Sequence, residues 1–557
     1  MKSFFLATLI SLFSISLSHS DAQLISSEIY ETEEDLQEGL ESGALTFDQY
    51  LELLDMIRNK VAPSSEERDK LYFVPDISSI DIHKIETQSQ NVDLDLRVDS
   101  FLDTEHQTSG RAVSGKVAWR VYQRFQDEEG LENSFLCEIT DRKNLIAHIE
   151  TDHSADMSGS WLTSGDLEVR RRFVMILLPH YDAKITLGNF DKRIGLGLNI
   201  GYHSLMRYAT QSGLNHQDSF LYPTRGRYNG LLAESRIKSI SILTFYSKNK
   251  FEQIEDRIGA IDLSWLSDNA TVGLCLSEGE LKNIVSRNTL SDNCQSLHFK
   301  IRSKPLRLSG EYALLSNRKS GGAFDLYSSR RKYSFDLTGW RYEDDFIHPF
   351  GGGISNADYE SIYLEKIDYQ YRARQAGERG VLFTSRYNLT DRLDFYFLCS
   401  QWKERSYLPA KIRWKIGIGY GFSKDLSFAI YHNWSDLNTG DEASDQDITS
   451  VNLFFSPVPK LDLDLLSNYR RTENKNYGDL RFKISTQVLP ALNFILWLKY
   501  NDPDFSRVSD EYFSFQVQER VRFFENCFVS AEFISKFYRD VDKTDTQAAR
   551  VRMEIAW

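Results

Sequence analysis

Basic side chains recur at alternate positions of several segments in which apolar residues take the other positions. In KIRWKIGIGYGF, Arg413 and Lys415 share one parity, while Ile412, Trp414 and Ile416 share the other. Guanidinium and ammonium groups attract anions, and a passage lined with one sign of charge concentrates solutes of the opposite sign. If the apolar parity faces lipid, where a charge costs about 2–4 kcal/mol at the membrane midplane, the basic parity lines a wet interior. The inward-facing basic residues predicted in this way are Arg120, Arg124, Lys300, Arg302, Arg372, Arg374, Arg413, Lys415, Arg481, Lys483, Arg520, Arg522 and Arg552.

A second interpretation of the same residues is structural. Acidic residues of the same parity, among them Asp368, Asp462, Asp464 and Glu532, could pair with these cations and fill a wet interior without selecting any solute. The first interpretation makes small anionic solutes the partner of the lumen, and the second gives the cations no ligand. Both stay open at the level of the sequence.

Motifs for other kinds of chemistry are weak. GLGLNIG places Gly195, Gly197 and Gly201 at a spacing that differs from G-x-G-x-x-G, and tight bends or close backbone approach explain such glycines better. HPFGGG at 348–353 lacks an accompanying G-x-S-x-G, and the acidic loop 436–447 lacks EF-hand spacing. We therefore predict no catalytic residues, no metal site, no cofactor and no enzymatic activity.

The elements that must position these side chains are β-strands with one apolar and one polar face. LDLDLL, LRFKI and FSFQVQERVRF alternate with a period of two, with Glu519 as the one lapse in the last segment. From Leu393 onward, long polar loops alternate with short turns: 402–410, 435–447, 471–478, 500–511 and 538–547 are long, whereas 423–425, 456–460, 489–491 and 524–526 are short. This arrangement is typical of an outer-membrane barrel. A soluble sandwich or propeller would instead show Greek-key connections or a blade repeat.

The first half of the chain follows the same pattern less regularly. Further candidate strands lie near 133–141, 144–152, 164–176, 181–190, 226–236, 238–248, 256–267, 270–277, 305–315, 323–340 and 363–388. The fold class predicted is an all-β membrane protein, a large antiparallel up-and-down transmembrane β-barrel of about 22–26 strands with a short N-terminal helical segment. Segments 191–225 and 341–360 fit no strand and are predicted to be long loops that could fold into the lumen.

The composition agrees with an exported protein. Aromatic residues make up 13% of the 557 residues and the net charge is −14, which argues against nucleic acid as a partner. Residues 1–22 have the form of a secretory signal peptide, and no later stretch approaches the ~18 apolar residues of a transmembrane helix. Residues 23–75 are predicted to form a periplasmic helical segment, with Thr46 and Gln49 in capping-box spacing, and residues 90–557 to form the barrel. The five scattered cysteines are interpreted as isolated small strand residues.

The segment ARVRMEIAW places Met553, Ile555 and Trp557 on the apolar parity of a strand. An outward-facing terminal aromatic residue belongs in the interfacial girdle of a barrel. We expect these residues to serve as the signal that the bacterial barrel-assembly machinery recognises. Outer-membrane lipid and this machinery are the predicted macromolecular partners.

Two segments carry a family resemblance. ITLGNFDKRIGLGLNIGYHS and RGRYNGLLAESRIKSISILTFYSKNKF resemble a largely uncharacterised group of bacterial envelope proteins, common in the Bacteroidota, with a helix-hairpin-helix region before a large barrel. The matching residues are Gly188, Gly195, Gly197, Arg225 and Gly226. The resemblance implies an outer-membrane location and no established activity. The stretch EEDLQEGLESGALTFDQY is acidic and lacks a Gly-x-Gly turn, so DNA binding is not expected.

The function expected from the sequence is porin-like passage or uptake of small solutes through the bacterial outer membrane, with the substrate unspecified. The alternative is a non-conducting barrel that serves adhesion, surface display or envelope assembly. An open lumen favours the first, and a lumen filled by residues 24–75 or 191–225 favours the second.

Overall fold

The computed structural model describes Leu53 and most of the chain from Val113 to Ala556. Between these two residues it leaves out 125–130, 142–144, 156–165, 191, 202–220, 222–227, 252–253, 268, 284–286, 288, 304, 331, 347, 352–376, 391, 404–408, 424–425, 437–444, 459, 473–475, 490–491, 503–510, 525–526 and 540–544. The predicted signal peptide and periplasmic segment lie outside the described residues, apart from Leu53, which is helical and buried.

The described part of the chain contains twenty-four β-strands in one sheet and a single 3-10 turn at Pro179–Tyr181. The strands are β1 (Val113–Arg124), β2 (Leu131–Asp141), β3 (Leu145–Ala155), β4 (Asp166–Leu178), β5 (Ala183–Phe190), β6 (Tyr228–Ile237), β7 (Ile240–Phe251), β8 (Ile254–Leu266), β9 (Ala270–Asn283), β10 (Thr289–Ser303), β11 (Leu306–Leu315), β12 (Ser320–Arg330), β13 (Tyr333–Tyr342), β14 (Arg379–Thr390), β15 (Leu393–Lys403), β16 (Lys411–Ser423), β17 (Leu426–Asp436), β18 (Asp445–Val458), β19 (Leu461–Thr472), β20 (Asn476–Leu489), β21 (Leu492–Asp502), β22 (Tyr512–Phe524), β23 (Cys527–Tyr538) and β24 (Thr546–Ala556).

The sheet closes on itself. Each strand pairs antiparallel with the next, and β1 pairs antiparallel with β24, with Trp119 opposite Met553 and Val121 opposite Val551. Closure satisfies the backbone groups that an open edge would leave unpaired in lipid. The predicted fold class is confirmed, and the strand count lies within the predicted range.

The connections alternate in length around the barrel. Those that follow even-numbered strands contain two to four residues, whereas those after β5 and β13 span 191–227 and 343–378. In outer-membrane barrels the short turns lie in the periplasm and the long loops outside the cell. The outer ends of β5, β6, β13 and β14 therefore carry the two longest loops.

The two faces of the sheet differ in polarity. On β8, Ile261, Leu263 and Trp265 are exposed on one face, whereas Asp262 and Ser264 are buried on the other. Outward apolar residues of this kind recur on strands throughout the barrel. A closed antiparallel sheet with an apolar outer face is the form in which β-structure crosses a bilayer. This protein is a bacterial outer-membrane β-barrel.

None of the helices among the described residues has the length and apolar character that a membrane crossing requires.

One predicted strand is wrong in its bounds. The segment 323–340 is divided between β12 and β13, which join at residues 331–332. The two residues between these strands in the sequence are Arg331 and Lys332, and neither is the glycine, proline or asparagine that usually marks a reversal, so the alternating pattern runs on without a break. Of the candidate 363–388, the structure places 379–388 in β14, and residues 363–376 lie outside the described part of the chain.

Candidate functional site in the lumen

Two stretches of the barrel wall, which together comprise β5–β24, have unlike inner faces. We call β5–β15 the packed wall, because buried loop residues lie against its inner face, and β16–β24 the basic wall, because most charged side chains on its inner face are cations. The two walls contain the same kind of hairpins in the same antiparallel ladder. They differ in the residues that occupy the inward parity.

Residues 192–201, which we call the inner segment, fold back from the outer end of β5 against the packed wall. Leu198 and Ile200 are completely buried, and the chain reverses through hydrogen bonds from the Ile194 amide to the Ile200 carbonyl (2.9 Å) and from the Gly197 amide to the Ile194 carbonyl (3.0 Å). The Gly201 amide donates to the carbonyl of Phe350 (3.0 Å), which joins the inner segment to the other long loop. Residues of both long loops thus lie against the inner face of the barrel.

The carboxylate of Glu311 on β11 holds the bend of the inner segment. It accepts hydrogen bonds from the backbone amides of Leu196 (2.8 Å), Leu198 (3.0 Å) and Asn199 (3.2 Å). Gly195 and Gly197 have φ of 61° and 84°, so the intervening amides point toward one side, in the manner of an anion-binding nest. The Glu311 carboxylate is itself the anion bound in this nest. The nest is therefore already occupied and does not offer a site for an external anion.

A side-chain amide makes the second connection between the inner segment and the wall. Asn199 Nδ2 donates to the carbonyls of Cys275 (3.2 Å) and Cys294 (3.4 Å), and Asn199 Oδ1 accepts from Ser277 Oγ (2.5 Å). Both cysteines are buried. Neither of them, nor any of the other three described cysteines, forms a disulfide. Asn199 therefore connects β9 and β10 through the backbone carbonyls of residues 275 and 294. These two hydrogen bonds do not depend on the cysteine side chains.

Two apolar clusters complete the packed wall. One joins Phe350 to Ile194, Ile200 and aromatic residues of β5–β7, and the other joins Phe346 to Leu196, Leu198 and tryptophans of β13 and β15. An added Cβ at Gly279 would overlap the Phe350 ring. Apolar side chains that point into a barrel need such a cover, because water in the lumen would otherwise solvate them.

The family-like glycines have separable roles. Gly188 has φ of 104°, and a Cβ at this position would overlap the carbonyl oxygen of Arg172 on the neighbouring strand. The other two, Gly195 and Gly197, form the bend around Glu311. Arg225 and Gly226 lie outside the described residues.

A buried polar group lies below the inner segment on the packed wall. Asp262 contacts His298 Nε2 (2.7 Å) through one carboxylate oxygen and accepts a hydrogen bond from Ser264 Oγ (2.7 Å) through the other. The serine therefore donates to the carboxylate instead of to the imidazole, unlike the relay that activates a nucleophilic serine. This geometry supports a structural role for the three residues.

The basic wall carries an excess of cations on its inner face. Among its described side chains of inward parity, eleven are basic and five are acidic. The basic ones are Lys411, Arg413, Lys415, Arg470, Arg481, Lys483, Lys499, Arg520, Lys536, Arg550 and Arg552, and the acidic ones are Asp462, Asp464, Asp479, Glu532 and Glu554. The packed wall has six basic residues (Lys184, Arg236, Lys300, Arg302, Arg307 and Arg386) and eight acidic residues (Glu234, Asp256, Asp262, Asp292, Glu311, Asp325, Asp336 and Asp394).

Several lumenal cations lie over aromatic rings. Lys415 Nζ is 4.7 Å from the ring centre of Tyr431, and Lys483 Nζ is 4.4 Å from that of Trp497. The Arg413 guanidinium lies 5.7 Å from the ring centre of Trp402. A ring face attracts a cation through its quadrupole and adds no negative charge of its own.

Several lumenal cations pair with carboxylates, as the second interpretation of the sequence requires. Glu554 contacts Lys116 (2.7 Å) and Arg552 (2.9 Å), and Glu532 contacts Arg550 (3.1 Å). Arg481 lies 3.4 Å from Asp479. The second interpretation thus describes these cations.

The structure brings together part of the predicted set. Arg413, Lys415, Arg481, Lys483 and Arg520 lie on the inner parity of the basic wall, and Arg302 and Lys300 lie on the packed wall. Arg120, Arg124 and Arg522 belong to strands whose side chains at these positions are not described, and Arg372 and Arg374 lie outside the described residues. Met553 and Ile555 have outward parity on β24, and Trp557 lies outside the described part of the chain.

Sequence reasoning missed Glu311, Asn199, Lys499 and Lys536. The parity of Lys499 could have been found by counting from Lys483 and Trp497 across the β20–β21 hairpin, since paired residues share a face. No local signal marks Glu311, because its partners lie more than a hundred residues away in the chain.

Known proteins resemble this chain in fold only. No family model matches the sequence, and no curated protein matches it. Among solved structures, the barrel is similar to the translocation pore of the P pilus usher PapC, with 10% identity over 80% of this chain and 99% of that chain and a TM-score of 0.41. It is also similar to the siderophore receptor PirA from Pseudomonas aeruginosa, with 9% identity over 80% of each chain and a TM-score of 0.45. A mutant of the ferric enterobactin receptor PfeA from the same organism gives 8% identity over 80% and 81% of the two chains and a TM-score of 0.44.

Proposed function

We propose that this barrel allows small anionic solutes to cross the outer membrane. The observation that carries the proposal is the basic wall, where eleven cations face five carboxylates although the whole chain has a net charge of −14. A chain with more acidic than basic residues has nonetheless concentrated its cations on one stretch of lumenal surface. We propose further that the protein acts without catalysis or a bound cofactor.

The field of this wall supports selection by charge sign. This wall holds more basic than acidic side chains among its described inward residues, and three of its cations lie over the rings of Trp402, Tyr431 and Trp497. In a confined lumen such charges raise the local concentration of anions and lower that of cations. The effect weakens with ionic strength, because the screening length falls from about 10 Å at 0.1 M salt to about 3 Å at 1 M.

A non-conducting barrel is the alternative, and the inner segment bears on it. This segment covers part of the lumen, but its hydrogen bonds to the barrel are made to β6, β9, β10 and β11 of the packed wall. Such a one-sided cover supports a constricted passage on the side of the basic wall.

Planar-bilayer recordings of the purified full chain test the proposal. In a potassium chloride gradient, the reversal potential of the wild type should have the sign that indicates a preference for chloride over potassium. Lys415→Glu combined with Lys483→Glu should shift the reversal potential by tens of millivolts toward a preference for potassium. Lys282→Glu is the matched control, because Lys282 is exposed on the outward parity of β9 and should leave the reversal potential unchanged. Absence of conductance would favour the non-conducting barrel, and cation preference of the wild type would refute selection for anions.

The assembly partners form a separate proposal. Met553 and Ile555 have outward parity on β24, where a recognition signal for the barrel-assembly machinery would be read, and Trp557 would complete it. Ile555→Ser should lower the amount of folded barrel in cells without lowering the yield of refolding in detergent. Equal losses in both settings would assign Ile555 to stability instead. We also propose that residues 23–75 form a periplasmic helical segment of the helix-hairpin-helix-like type found in Bacteroidota proteins.

A further inference from the structure

One row of neighbouring residues crosses the outer part of the basic wall. Arg481 on β20 lies opposite Lys499 on β21, Lys499 lies opposite Ser514 on β22, and Ser514 lies opposite Lys536 on β23. Directly paired residues share a face of the sheet, so all four side chains have inward parity. Ser514, Lys499 and Lys536 are within a few residues of the outer ends of their strands, where an entering solute arrives first.

The two lysines of this row share an aromatic neighbour. Lys536 Nζ lies 3.9 Å from the ring centre of Tyr512 and 4.6 Å from that of Tyr538, and Lys499 Nζ lies 5.8 Å from that of Tyr512. Within the described part of the chain, neither ammonium forms an ion pair with a carboxylate. Rings hold both cations in place without neutralising them.

Nearby carboxylates are committed to other partners. Glu532, on the inner parity of β23, contacts Arg550 at 3.1 Å and also accepts a hydrogen bond from Gln516. Glu511, next to Tyr512, contacts Arg539 at 2.6 Å. The charge of the two lysines is therefore left for a ligand to compensate.

Ser514, whose side chain is short, lies between the two lysines in the ladder of paired strands. Adjacent strands are about 4.8 Å apart, so the backbones of Lys499 and Lys536 are separated by about 10 Å with only a hydroxymethyl group between them. Long lysine side chains can converge over such a gap, and the serine hydroxyl can donate a hydrogen bond into it. Two like charges at this distance repel each other unless an anion joins them.

We propose that Lys499, Ser514 and Lys536 bind the phosphate group of a small solute at the outer entrance of the lumen. A phosphate monoester carries a charge of about −1.5 to −2 at neutral pH, which matches two ammoniums, whereas a carboxylate matches one. The inference rests on the proposed passage of anions for its biological purpose and names phosphorylated solutes as the class. Its test does not require an open pore.

Equilibrium dialysis of radiolabelled inorganic phosphate against the purified full chain in detergent, at low salt, tests the site. Wild type should bind phosphate saturably and more tightly than acetate. Lys499→Gln combined with Lys536→Gln should weaken binding by at least about tenfold, and Lys282→Gln on the outward face should leave it unchanged. Ser514→Glu keeps both cations but places a carboxylate between them, and it should also abolish binding.

Three outcomes would overturn the site: no saturable phosphate binding, equal binding by wild type and the double variant, or acetate bound as tightly as phosphate. Heat-modifiable mobility on gels shows whether each variant is folded before binding is measured. Phosphate binding by a barrel without conductance would refute the proposed passage and leave the site intact. Anion-selective conductance that the double variant and phosphate leave unaffected would refute the site and leave the passage intact.

Discussion

The packed wall and the basic wall are made by the same β-sheet but have opposite interiors. Both consist of antiparallel hairpins with apolar residues facing outward. On the packed wall the inward residues include Tyr228, Phe245 and Trp340, which are buried beneath the inner segment and the loop residues Phe346 and Phe350. On the basic wall the inward residues include Arg413, Lys415 and Lys483, which lie beside rings.

The barrel must satisfy lipid on its outer face and determine the character of the lumen on its inner face. Hydrogen bonding in the ladder and the apolar outer face are common to both walls, and they satisfy lipid. The inward parity is free to vary, and the chain uses it to anchor a loop on one side and to present cations on the other. Outward residues of the strands thus serve the contact with lipid, and inward residues of the same strands set the character of the lumen.

Removal of a buried ring should show the largest difference between the walls. Phe350 is completely buried, and Phe350→Ala should lower the free energy of unfolding by about 3–5 kcal/mol because it leaves a cavity against Gly279. Tyr431→Ala, on the basic wall, should cost about 1 kcal/mol, because it removes ring contacts in a wet lumen. Urea unfolding in lipid vesicles, followed by tryptophan fluorescence, measures both. Similar losses in the two variants would mean that the walls are packed alike.

A charge on the outer face should affect the two walls equally. Leu274 on β9 and Ile430 on β17 are both exposed on the outward parity, and Arg in place of either should cost about 2–4 kcal/mol near the membrane midplane. The same unfolding assay applies. Ser450→Arg, on the inward parity of β18, is the matched control and should cost much less, because the lumen can hydrate the guanidinium. A low cost at only one of the outward positions would mean that part of the outer face contacts protein instead of lipid.

The common features of the two walls were predictable from the sequence. Period-two alternation gave the strands from Leu393 onward to within a few residues, and the alternation of long and short connections predicted the up-and-down order. Alternation is a local property, so it survives in any sequence whose strands face lipid on one side and water on the other. The turn at 331–332 was missed because Arg331 and Lys332 carry no turn signal.

The differences between the walls were only partly predictable. Arg413, Lys415 and Lys483 stand out because their apolar neighbours alternate cleanly, whereas Lys499 follows the nearly continuous apolar run LNFILWL, which hides its parity. Contacts of the inner segment depend on residues distant in the chain: Glu311 and Leu196 are 115 residues apart. Such pairs are set by tertiary structure, for which a local pattern carries no information.

Loss of the Glu311 carboxylate should detach the inner segment and make the packed wall more like the basic wall. Glu311→Ala removes the acceptor of three backbone amides and should destabilise the barrel by about 1–3 kcal/mol. Single-channel conductance should rise, because the inner segment can leave the lumen. Glu311→Gln keeps one acceptor oxygen and should have a smaller effect. Glu278→Gln, at an exposed outward position of β9, should have none, and unchanged conductance in Glu311→Ala would show that the inner segment does not limit the passage.

The smallest effect should come from the carboxylate at the seam of the barrel. Glu554 contacts Lys116 on β1 and Arg552 on its own strand, so Glu554→Gln frees two cations beside the junction of β1 and β24. Stability should change by less than about 1 kcal/mol, because these pairs are partly exposed to the water of the lumen.

The anion preference of Glu554→Gln should rise by less than about twofold in 0.1 M salt, and the difference from wild type should disappear in 1 M salt as screening shortens the reach of the freed charges. Reversal potentials at the two salt concentrations measure this effect. Glu519→Gln is the control, because Glu519 is exposed on the outward parity of β22 and should leave the preference unchanged. A rise that persists in 1 M salt would point to a change in the shape of the lumen instead of its field. No change at either concentration would mean that passing ions do not sense the seam, which would confine selection to the cations of the basic wall above it.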